Sequence, residues 1–349
     1  MGIGLIGCGD IGPAHAEALA ESSGARLVAC MDVVESSAKN LAEAHGVAYT
    51  TELAALLARP DVDAVTVATP AFTHADVVQQ AAKAGKAVLC EKPLATNLRE
   101  ADRAIRVCEE AGVPFGMCFP LRYLGGAKWT KELLQAGLLG EIIAVRLRNL
   151  GAKAESYWTG GYSGRTKTDW RTSKAQSGGG IVITNLSHHL DLVRAMTGLE
   201  VTRAYCEMGT FVTAVEVEDV AAACLRYDND AVGVMEGSSC FLGGAAEPEV
   251  VLLGKRGQSR FGLWSGLAEV YLSEAGAGLP AREWTAREFP DTIHVELHEE
   301  FAAAVRGGLA PPITGEDGRK ALEIVLAIYQ SADRREPVSL PLVAEEDRV

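Results

Sequence analysis

The sequence lacks the features by which several classes of protein are recognised. It has no basic run, and 46 acidic against 33 basic side chains give a net charge of −13, which argues against a nucleic-acid partner. It has no uncharged apolar run long enough to span a bilayer, and its first apolar run begins beside Met1, which leaves no room for a signal peptide. We therefore predict a cytoplasmic chain that binds neither a membrane nor nucleic acid.

Patterns for disulfides and metal sites are missing as well. The eight cysteines include no C-x-x-C pair, and most lie in apolar segments, as is typical of reduced thiols. His294 and His298 have the i,i+4 spacing of zinc ligands, but no H-E-x-x-H motif accompanies them. The sequence thus predicts neither structural disulfides nor a metal site.

A glycine-rich turn follows the first apolar run and fits G-x-G-x-x-G. The turn comprises Gly7, Gly9, Asp10, Ile11 and Gly12. Gly7 permits the tight turn, Gly9 lets a pyrophosphate approach the backbone, and Gly12 lets helix and strand pack closely. The helix that follows offers unpaired N–H groups to the phosphates.

An acidic residue stands at the distance that this motif requires. Asp32 ends the second apolar run and can accept both hydroxyls of an adenosine ribose, whereas it would repel the 2′-phosphate of NADP. We therefore predict a dinucleotide site that prefers NAD to NADP. The alternative interpretation is an ordinary glycine turn in a parallel sheet.

The first part of the chain alternates apolar runs with alanine-rich helical stretches. This order predicts βαβ units and a parallel sheet with its ligand at the carboxyl ends of the strands, and we assign a Rossmann NAD-binding domain to residues 1–120. The predicted strands lie at 2–7, 26–31, 63–68, 86–90 and 113–118, and the predicted helices near 12–22, 35–45, 51–58, 74–84 and 97–111.

The regular alternation of apolar runs and helical stretches ends after Phe119, and we assign residues 121–349 to a second domain. The stretch 151–180 is polar, glycine-rich and aromatic, and we interpret it as an ordered active-site loop. Many alternating runs predict a large, mostly antiparallel open sheet. The predicted strands lie at 141–149, 201–212, 219–227, 231–239, 248–254, 258–262, 268–272 and 283–289, and the predicted helices at 125–136, 183–197, 295–306 and 316–333.

Chemistry-bearing residues stand where predicted strands end. Thr69 and Pro70 follow the run 63–68, and Glu91-Lys92-Pro93 follows the run 86–90. A lysine beside an oxidised nicotinamide has a depressed pKa, because burial and like charge both disfavour its ammonium form, so Lys92 can accept or relay a proton from a substrate hydroxyl. His188 is a second group able to act near neutral pH.

These residues belong to a series of motifs that resembles the glucose–fructose oxidoreductase / inositol dehydrogenase / MocA family over nearly the whole chain. The motifs, in order, are G-C-G-D-I-G near the start, A-T-P-A-F-T-H at 68–74, C-E-K-P-L-A at 90–95, D-W-R at 169–171, S-G-G-G-I-V-I-T-N-L-S-H-H-L-D-L at 177–192, V-E-D-V at 217–220, T-G-E-D-G at 314–318 and P-V-S-L-P at 337–341.

The resemblance implies a Rossmann domain and a C-terminal α/β domain with a large, mostly antiparallel sheet. It implies that the second domain binds substrate and assembles homodimers or homotetramers. It further implies oxidation or reduction of a carbinol in a sugar, cyclitol or related polyol, with Lys92 near the nicotinamide and His188 at the family's histidine position. Thr69, Pro70, His74, Glu91, Trp170 and Arg171 fall at positions expected to contact the cofactor.

One residue departs from the family pattern. The aspartate usual four residues before the histidine is Thr184 here, and Asn185 beside it can take over a substrate hydrogen bond. The remaining substrate contacts are predicted for Arg122, Tyr157 and Tyr162, with interdomain packing as the alternative for Arg122.

Three functions remain open at this point. The first is an NAD-dependent dehydrogenase that oxidises a ring hydroxyl. The second is an enzyme of the same family that retains NAD and cleaves a glycoside or eliminates water by returning the hydride. The third is a non-catalytic NAD-sensing protein, which has no use for a proton relay through Lys92.

Overall fold

The computed structural model describes residues 1–162, 164, 167–242, 246–290 and 292–342. Ser163, Arg165 and Thr166 of the predicted active-site loop lie outside the described residues, as do the last seven residues of the predicted second domain. Within the described residues, none of the helices is both long enough and apolar enough to cross a membrane.

The described strands form two separate sheets. They are β1 (Gly2–Ile6), β2 (Arg26–Met31), β3 (Ala48–Thr50), β4 (Ala64–Val67), β5 (Ala87–Glu91), β6 (Phe115–Cys118), β7 (Ile142–Leu150), β8 (Val201–Gly209), β9 (Val220–Tyr227), β10 (Val232–Ser238), β11 (Glu249–Gly254), β12 (Gly257–Gly262), β13 (Leu267–Leu272), β14 (Trp284–Glu288) and β15 (Val338–Ser339).

The helices follow the predicted segments closely in most places. They are α1 (Gly12–Glu21), α2 (Glu35–His45), α3 (Leu53–Leu57), α4 (His74–Lys83), α5 (Leu98–Ala111), α6 (Gly125–Gln135), α7 (Glu155–Gly160), α8 (Lys174–Ser177), α9 (Ser187–Thr197), α10 (Ile293–Arg306) and α11 (Gly315–Arg334). Short 3₁₀ turns cover Ala71–Thr73, Pro120–Tyr123 and Trp170–Thr172, and one π-helical turn covers Val182–Leu186.

The chain divides into two compact units. The first unit comprises 1–120, 154–178 and 293–322, and the second comprises 121–153, 179–292 and 323–349. The domain limits expected from the sequence, 1–120 and 121–349, remain a prediction.

The first unit is built on a parallel sheet of order β3-β2-β1-β4-β5-β6. This is the doubly wound order in which ligands bind at the carboxyl ends of the strands, where the order reverses between β1 and β4. Strands β1, β4 and β5 are buried along their whole length, as expected for a sheet covered on both faces. The edge strand β3 was not predicted, because its sequence Ala-Tyr-Thr is short and mostly exposed.

The second unit is built on a nine-stranded sheet of order β14-β13-β12-β11-β7-β10-β9-β8-β15. Its pairs are antiparallel except for β7 with β10. Along β9 the side chains alternate between buried Ala223 and Leu225 and exposed Ala222 and Cys224, so this strand has one face toward the core. The predicted fold class, a Rossmann domain with a large and mostly antiparallel second sheet, is confirmed.

Candidate cofactor and catalytic site

The glycine-rich turn joins β1 to α1, and each of its glycines has a different environment. Gly7 has φ +96°, and a Cβ placed on it would lie 2.5 Å from the carbonyl oxygen of Ala68. A Cβ on Gly12 would lie 2.9 Å from the carbonyl oxygen of Gly7, so this position requires glycine for close packing. A Cβ on Gly9 would meet no atom within 4 Å. The turn therefore leaves open space at the position where a pyrophosphate would approach the backbone, and it fits the cofactor.

Asp32 follows β2 at the same edge of the sheet. Its Oδ2 accepts the backbone N–H of Cys8 at 2.8 Å, and its Oδ1 accepts the N–H of Val34 at 2.9 Å. These bonds hold the carboxylate beside the glycine-rich turn. The next residue, Val33, is 82% exposed and carries no charge that would bind a 2′-phosphate.

The segment 154–178 of the first unit packs on Asp10. The Asp10 carboxylate accepts the backbone N–H of Tyr162 at 2.9 Å and a guanidinium N–H of Arg171 at 3.0 Å. The Arg171 guanidinium lies over the rings of Trp170 and Tyr157, at 4.5 and 5.0 Å from their centroids. The structure thus brings four residues of the predicted active-site loop to the predicted phosphate-binding turn.

The 3₁₀ turn after β4 brings His74 under the loop that contains Lys92. One ring nitrogen lies 2.8 Å from the carbonyl oxygen of Thr69, and the other lies 2.9 Å from that of Pro93. Burial lowers the pKa of His74 and outweighs these carbonyl contacts, which raise it. The ring therefore joins the segment Thr69-Pro70 after β4 to the segment Glu91-Lys92-Pro93 after β5. A direct contact of His74 with the cofactor stays a prediction.

Lys92 directly follows β5, and its peptide bond to Pro93 is cis. Withdrawal of its ammonium group from water lowers the pKa of Lys92, the negative charge of Glu91 raises it, and the positive charge of Arg171 lowers it further. The net direction is downward. Lys92 is therefore suited to release and accept a proton nearer to neutral pH than an exposed lysine.

Glu91 lies in a buried cluster that sequence reasoning did not find. Its Oε1 lies 3.0 Å from Nε2 of His15, and Nδ1 of His15 lies 3.0 Å from Nε2 of His298. One side-chain nitrogen, oxygen or sulfur atom from each of His15, Glu91 and Cys118 lies within 4.8 Å of the other two. Since these residues come from α1, β5, β6 and α10, no local sequence pattern could have joined them.

In the second unit, the π-helical turn carries Thr184 and Asn185, two of the residues predicted to bind substrate. The Thr184 hydroxyl lies 2.6 Å from the carbonyl oxygen of Gly180 and 3.0 Å from Oδ1 of Asn185, so it can donate to either acceptor. His188 is half-buried in the first turn of α9. Its neighbour His189 is buried, which lowers the pKa of that ring to about 4. A π-helical turn is frequent at functional sites.

The two glycines before this turn lie against Tyr329 and the backbone of Glu218. Glu218 accepts the N–H of Gly180 at 2.7 Å, the N–H of Val182 at 3.0 Å and the hydroxyl of Tyr329 at 2.9 Å. A Cβ on Gly179 would lie 2.0 Å from the Tyr329 hydroxyl oxygen, and one on Gly180 would lie 1.9 Å from the Glu218 carbonyl oxygen. The V-E-D-V motif was the only sequence signal for Glu218, and it did not indicate this role.

Arg122 is bound by an acidic residue of α9. Its guanidinium donates to both carboxylate oxygens of Asp191, at 2.8 and 2.5 Å, and the Asp191 side chain is fully buried. This bidentate pair joins the 3₁₀ turn Pro120–Tyr123 to α9. A substrate contact of Arg122 stays a prediction.

Two family models match the chain. The model described as an oxidoreductase family with an NAD-binding Rossmann fold matches residues 1–119, and the model of the GFO/IDH/MocA C-terminal domain matches residues 128–260. The first match spans β1–β6, and the second spans β7–β11 and part of β12.

Individual proteins are similar to the chain over all or part of its length. The chain is 29% identical to myo-inositol 2-dehydrogenase of Thermotoga maritima, over 97% of this chain and 98% of that protein. It is 28% identical to 2,7-anhydro-N-acetylneuraminate hydratase of Mediterraneibacter gnavus, over 57% of this chain and 50% of that protein. The crystal structure of the WlbA dehydrogenase from Bordetella pertussis in complex with NADH and UDP-GlcNAcA has 27% identity and a TM-score of 0.83, over 98% of both chains.

Proposed function

The chain belongs to the Gfo/Idh/MocA oxidoreductase family, with an NAD-binding Rossmann fold, and on this premise we propose that it oxidises a ring hydroxyl of a sugar, cyclitol or related polyol with NAD. The observation that carries the proposal is Lys92. It directly follows β5 in the unit that holds the glycine-rich turn, and its pKa is lowered mainly by burial. The dehydrogenase names of several relatives support the same reaction class.

The cofactor would be held by the chain's own turn and acids. Gly7 and Gly9 allow the backbone to approach a pyrophosphate, the N-terminus of α1 faces it, and Asp32 accepts the adenosine ribose hydroxyls. NAD, when bound, supplies a hydride acceptor for the carbon that bears the reacting hydroxyl. Asp10, bound by Arg171, holds the aromatic segment against the turn and limits access of water there.

Lys92 takes the proton of the hydroxyl as the C–H electron pair leaves the same carbon. The hydroxyl carbon is oxidised to a carbonyl, two electrons leave as hydride, and the proton resides on the Lys92 amine until solvent accepts it. We assign binding of the other ring hydroxyls to Asn185 and His188, with Arg122, Tyr157, Tyr162 and Thr184 as further substrate contacts. Thr184 offers a hydroxyl in place of a carboxylate, which favours a substrate bound by neutral hydrogen bonds.

The test is formation of NADH with a panel of inositols, aldoses, deoxy-sugars and sugar acids, with NAD and NADP in parallel. We expect turnover with NAD and one ring class. In Lys92→Ala we expect kcat to fall by about 10²- to 10⁴-fold, because general-base catalysis is lost, while the Kd for NAD stays within a few-fold of wild type.

The matched control is Lys83→Ala, which removes an exposed lysine from the last turn of α4. Its turnover should equal that of wild type. Equal turnover of the Lys92 variant and wild type would refute the assigned base.

A second candidate is the enzyme that returns the hydride before product release. It is favoured by the replacement of the family's carboxylate by Thr184 and by the similarity to a hydratase. Product formed without added cofactor, and without absorbance of reduced nicotinamide, would support it over the dehydrogenase. NAD binding that no polyol perturbs would instead support a sensor.

A further inference from the structure

The carboxylate beside Lys92 is bound at both of its oxygens. Glu91 Oε2 accepts the backbone N–H of Lys92 at 3.1 Å, and Oε1 pairs with Nε2 of His15 at 3.0 Å. The side chain of His15 is fully buried and that of Glu91 is 9% exposed. Water therefore has little access to this pair, and its charge state depends on its protein neighbours.

The hydrogen bonds continue to a third residue. His15 Nδ1 lies 3.0 Å from His298 Nε2, and the two rings meet edge to face with centroids 5.2 Å apart. The other nitrogen of His298, Nδ1, is buried and has no hydrogen-bond partner among the described residues. Burial lowers the pKa of His298 well below its ordinary value.

These contacts give the chain of hydrogen bonds one direction. An ionised Glu91 only accepts, so Nε2 of His15 carries the proton. In the neutral tautomer with its hydrogen on Nε2, His15 accepts at Nδ1 a hydrogen bond from the N–H at Nε2 of His298, and Nδ1 of His298 then carries a lone pair and no hydrogen. A buried acceptor without a partner is more readily tolerated than a buried N–H donor without one. The donors therefore run from His298 through His15 to Glu91.

We propose that His15 and His298 are positioning residues for Lys92, because this directional chain holds the Glu91 carboxylate ionised at the backbone of the catalytic lysine. The inference rests on the proposed role of Lys92. Burial raises the pKa of Glu91, but the hydrogen bond from His15 and the positive charge of Lys92 lower it, and the net direction is downward. The negative charge of Glu91 in turn raises the pKa of Lys92.

Other titratable groups also face the two members of this pair. Those facing Glu91 besides His15 and Lys92 are His74, Cys90, Cys118 and His294, and those facing Lys92 besides Glu91 are Cys118 and Arg171. The thiols of Cys90 and Cys118 are kept neutral, because burial raises their pKa values well above the ordinary one. Glu91 is therefore the anion through which α1 and α10 act on Lys92.

The first test is the pH dependence of kcat/KM for polyol oxidation, whose acid limb reports loss of the proton from Lys92. Glu91→Gln and His15→Phe remove the anion or its donor, so we expect the midpoint of this limb to move to lower pH by about 1 unit. His298→Leu should cause a smaller shift in the same direction. It removes the donor to Nδ1 of His15, and without that donor the hydrogen bond from His15 to Glu91 is weaker.

His298→Gln keeps an N–H donor near the position of Nε2 and should restore the wild-type midpoint. His45→Gln, at the end of α2, is the matched control for loss of a histidine and should not move it. An unchanged midpoint in both Glu91→Gln and His15→Phe, with NAD affinity retained, would overturn the proposal. If His15→Phe does not fold, Glu91→Gln and the two His298 variants carry the same test.

A second measurement requires no turnover. In the full chain with ¹³C-labelled lysine, the ε-carbon signal that disappears in Lys92→Ala reports the protonation of Lys92 directly. We expect its titration midpoint to fall in His298→Leu and to return in His298→Gln. If this shift occurs but no polyol is oxidised, the positioning role stands and the proposed function fails. If a polyol is oxidised and the midpoint does not shift, the proposed function stands and the positioning role fails.

Discussion

Replacing Gly9 by alanine separates the cofactor role of the glycine-rich turn from its role in folding. A Cβ on Gly9 would meet no atom within 4 Å, and the residue does not have the left-handed φ that disfavours a side chain. The folded protein without cofactor should therefore accept Gly9→Ala. Its free energy of unfolding should stay the same or rise by about 0.4–1 kcal/mol, because alanine restricts the unfolded chain.

The cost of the same substitution should be seen in NAD affinity. If the pyrophosphate occupies the space beside Gly9, the added methyl group must be accommodated by shifts of the turn or of the ligand. Overpacking of this kind costs about 1–3 kcal/mol, which corresponds to about a 5- to 150-fold rise in Kd. Gly7→Ala should behave differently, because a Cβ there would lie 2.5 Å from the Ala68 carbonyl oxygen at φ +96°. We expect it to destabilise the protein itself by about 2 kcal/mol or more.

Denaturant unfolding without cofactor and calorimetric titration with NAD measure the two effects separately. Gly160→Ala is the matched control, since a Cβ there also meets no atom within 4 Å and the residue is not one of the predicted cofactor ligands. It should change neither NAD affinity nor stability by much. Wild-type NAD affinity in Gly9→Ala would refute the placement of the pyrophosphate, and a loss of stability equal to that of Gly7→Ala would refute the steric argument.

Three further predictions concern Asp32, Asp219 and Asp191. Asp32→Ser removes the charge that repels a 2′-phosphate, so the ratio of Kd values for NADP and NAD, measured by titration, should fall at least tenfold. Burial raises the pKa of Asp219, but hydrogen bonds from the N–H groups of residues 211–213 outweigh it and hold the pKa below its usual value. The ionised carboxylate therefore stabilises the folded protein fully above about pH 4, and this stabilisation is lost as the pH falls through the folded-state pKa. Asp219→Asn should therefore lower the free energy of unfolding, measured with denaturant at pH 7, by about 1–3 kcal/mol. A difference between variant and wild type that does not decrease in acid would contradict this. Asp191→Ala leaves the Arg122 guanidinium without its carboxylate and should cost about 3 kcal/mol, whereas Asp191→Leu with Arg122→Met should recover most of that loss.

Most helices and strands could be predicted from local patterns. The hydrophobic periodicity and the glycine-rich turn after the first strand each act over a few residues, so the sequence shows them directly. The elements it did not indicate are short, namely β3, β15, α7, α8 and the three 3₁₀ turns, and the predicted helix 183–197 begins as a π-helical turn at Val182–Leu186. Such segments are formed by their neighbours rather than by an apolar period of their own.

By itself the sequence determined the alternation that specifies a parallel sheet, the glycine-rich turn and the positions of Lys92 and Asp32, because a motif is a short-range constraint on the backbone. Only the tertiary structure decided which distant side chains meet. His15 and His298 are separated by 283 residues and share a 3.0 Å hydrogen bond, and Glu218 lies 38 residues along the chain from Gly180, whose N–H it accepts. Contacts of this kind depend on how elements pack, and burial then sets the charge states that a sequence alone does not reveal.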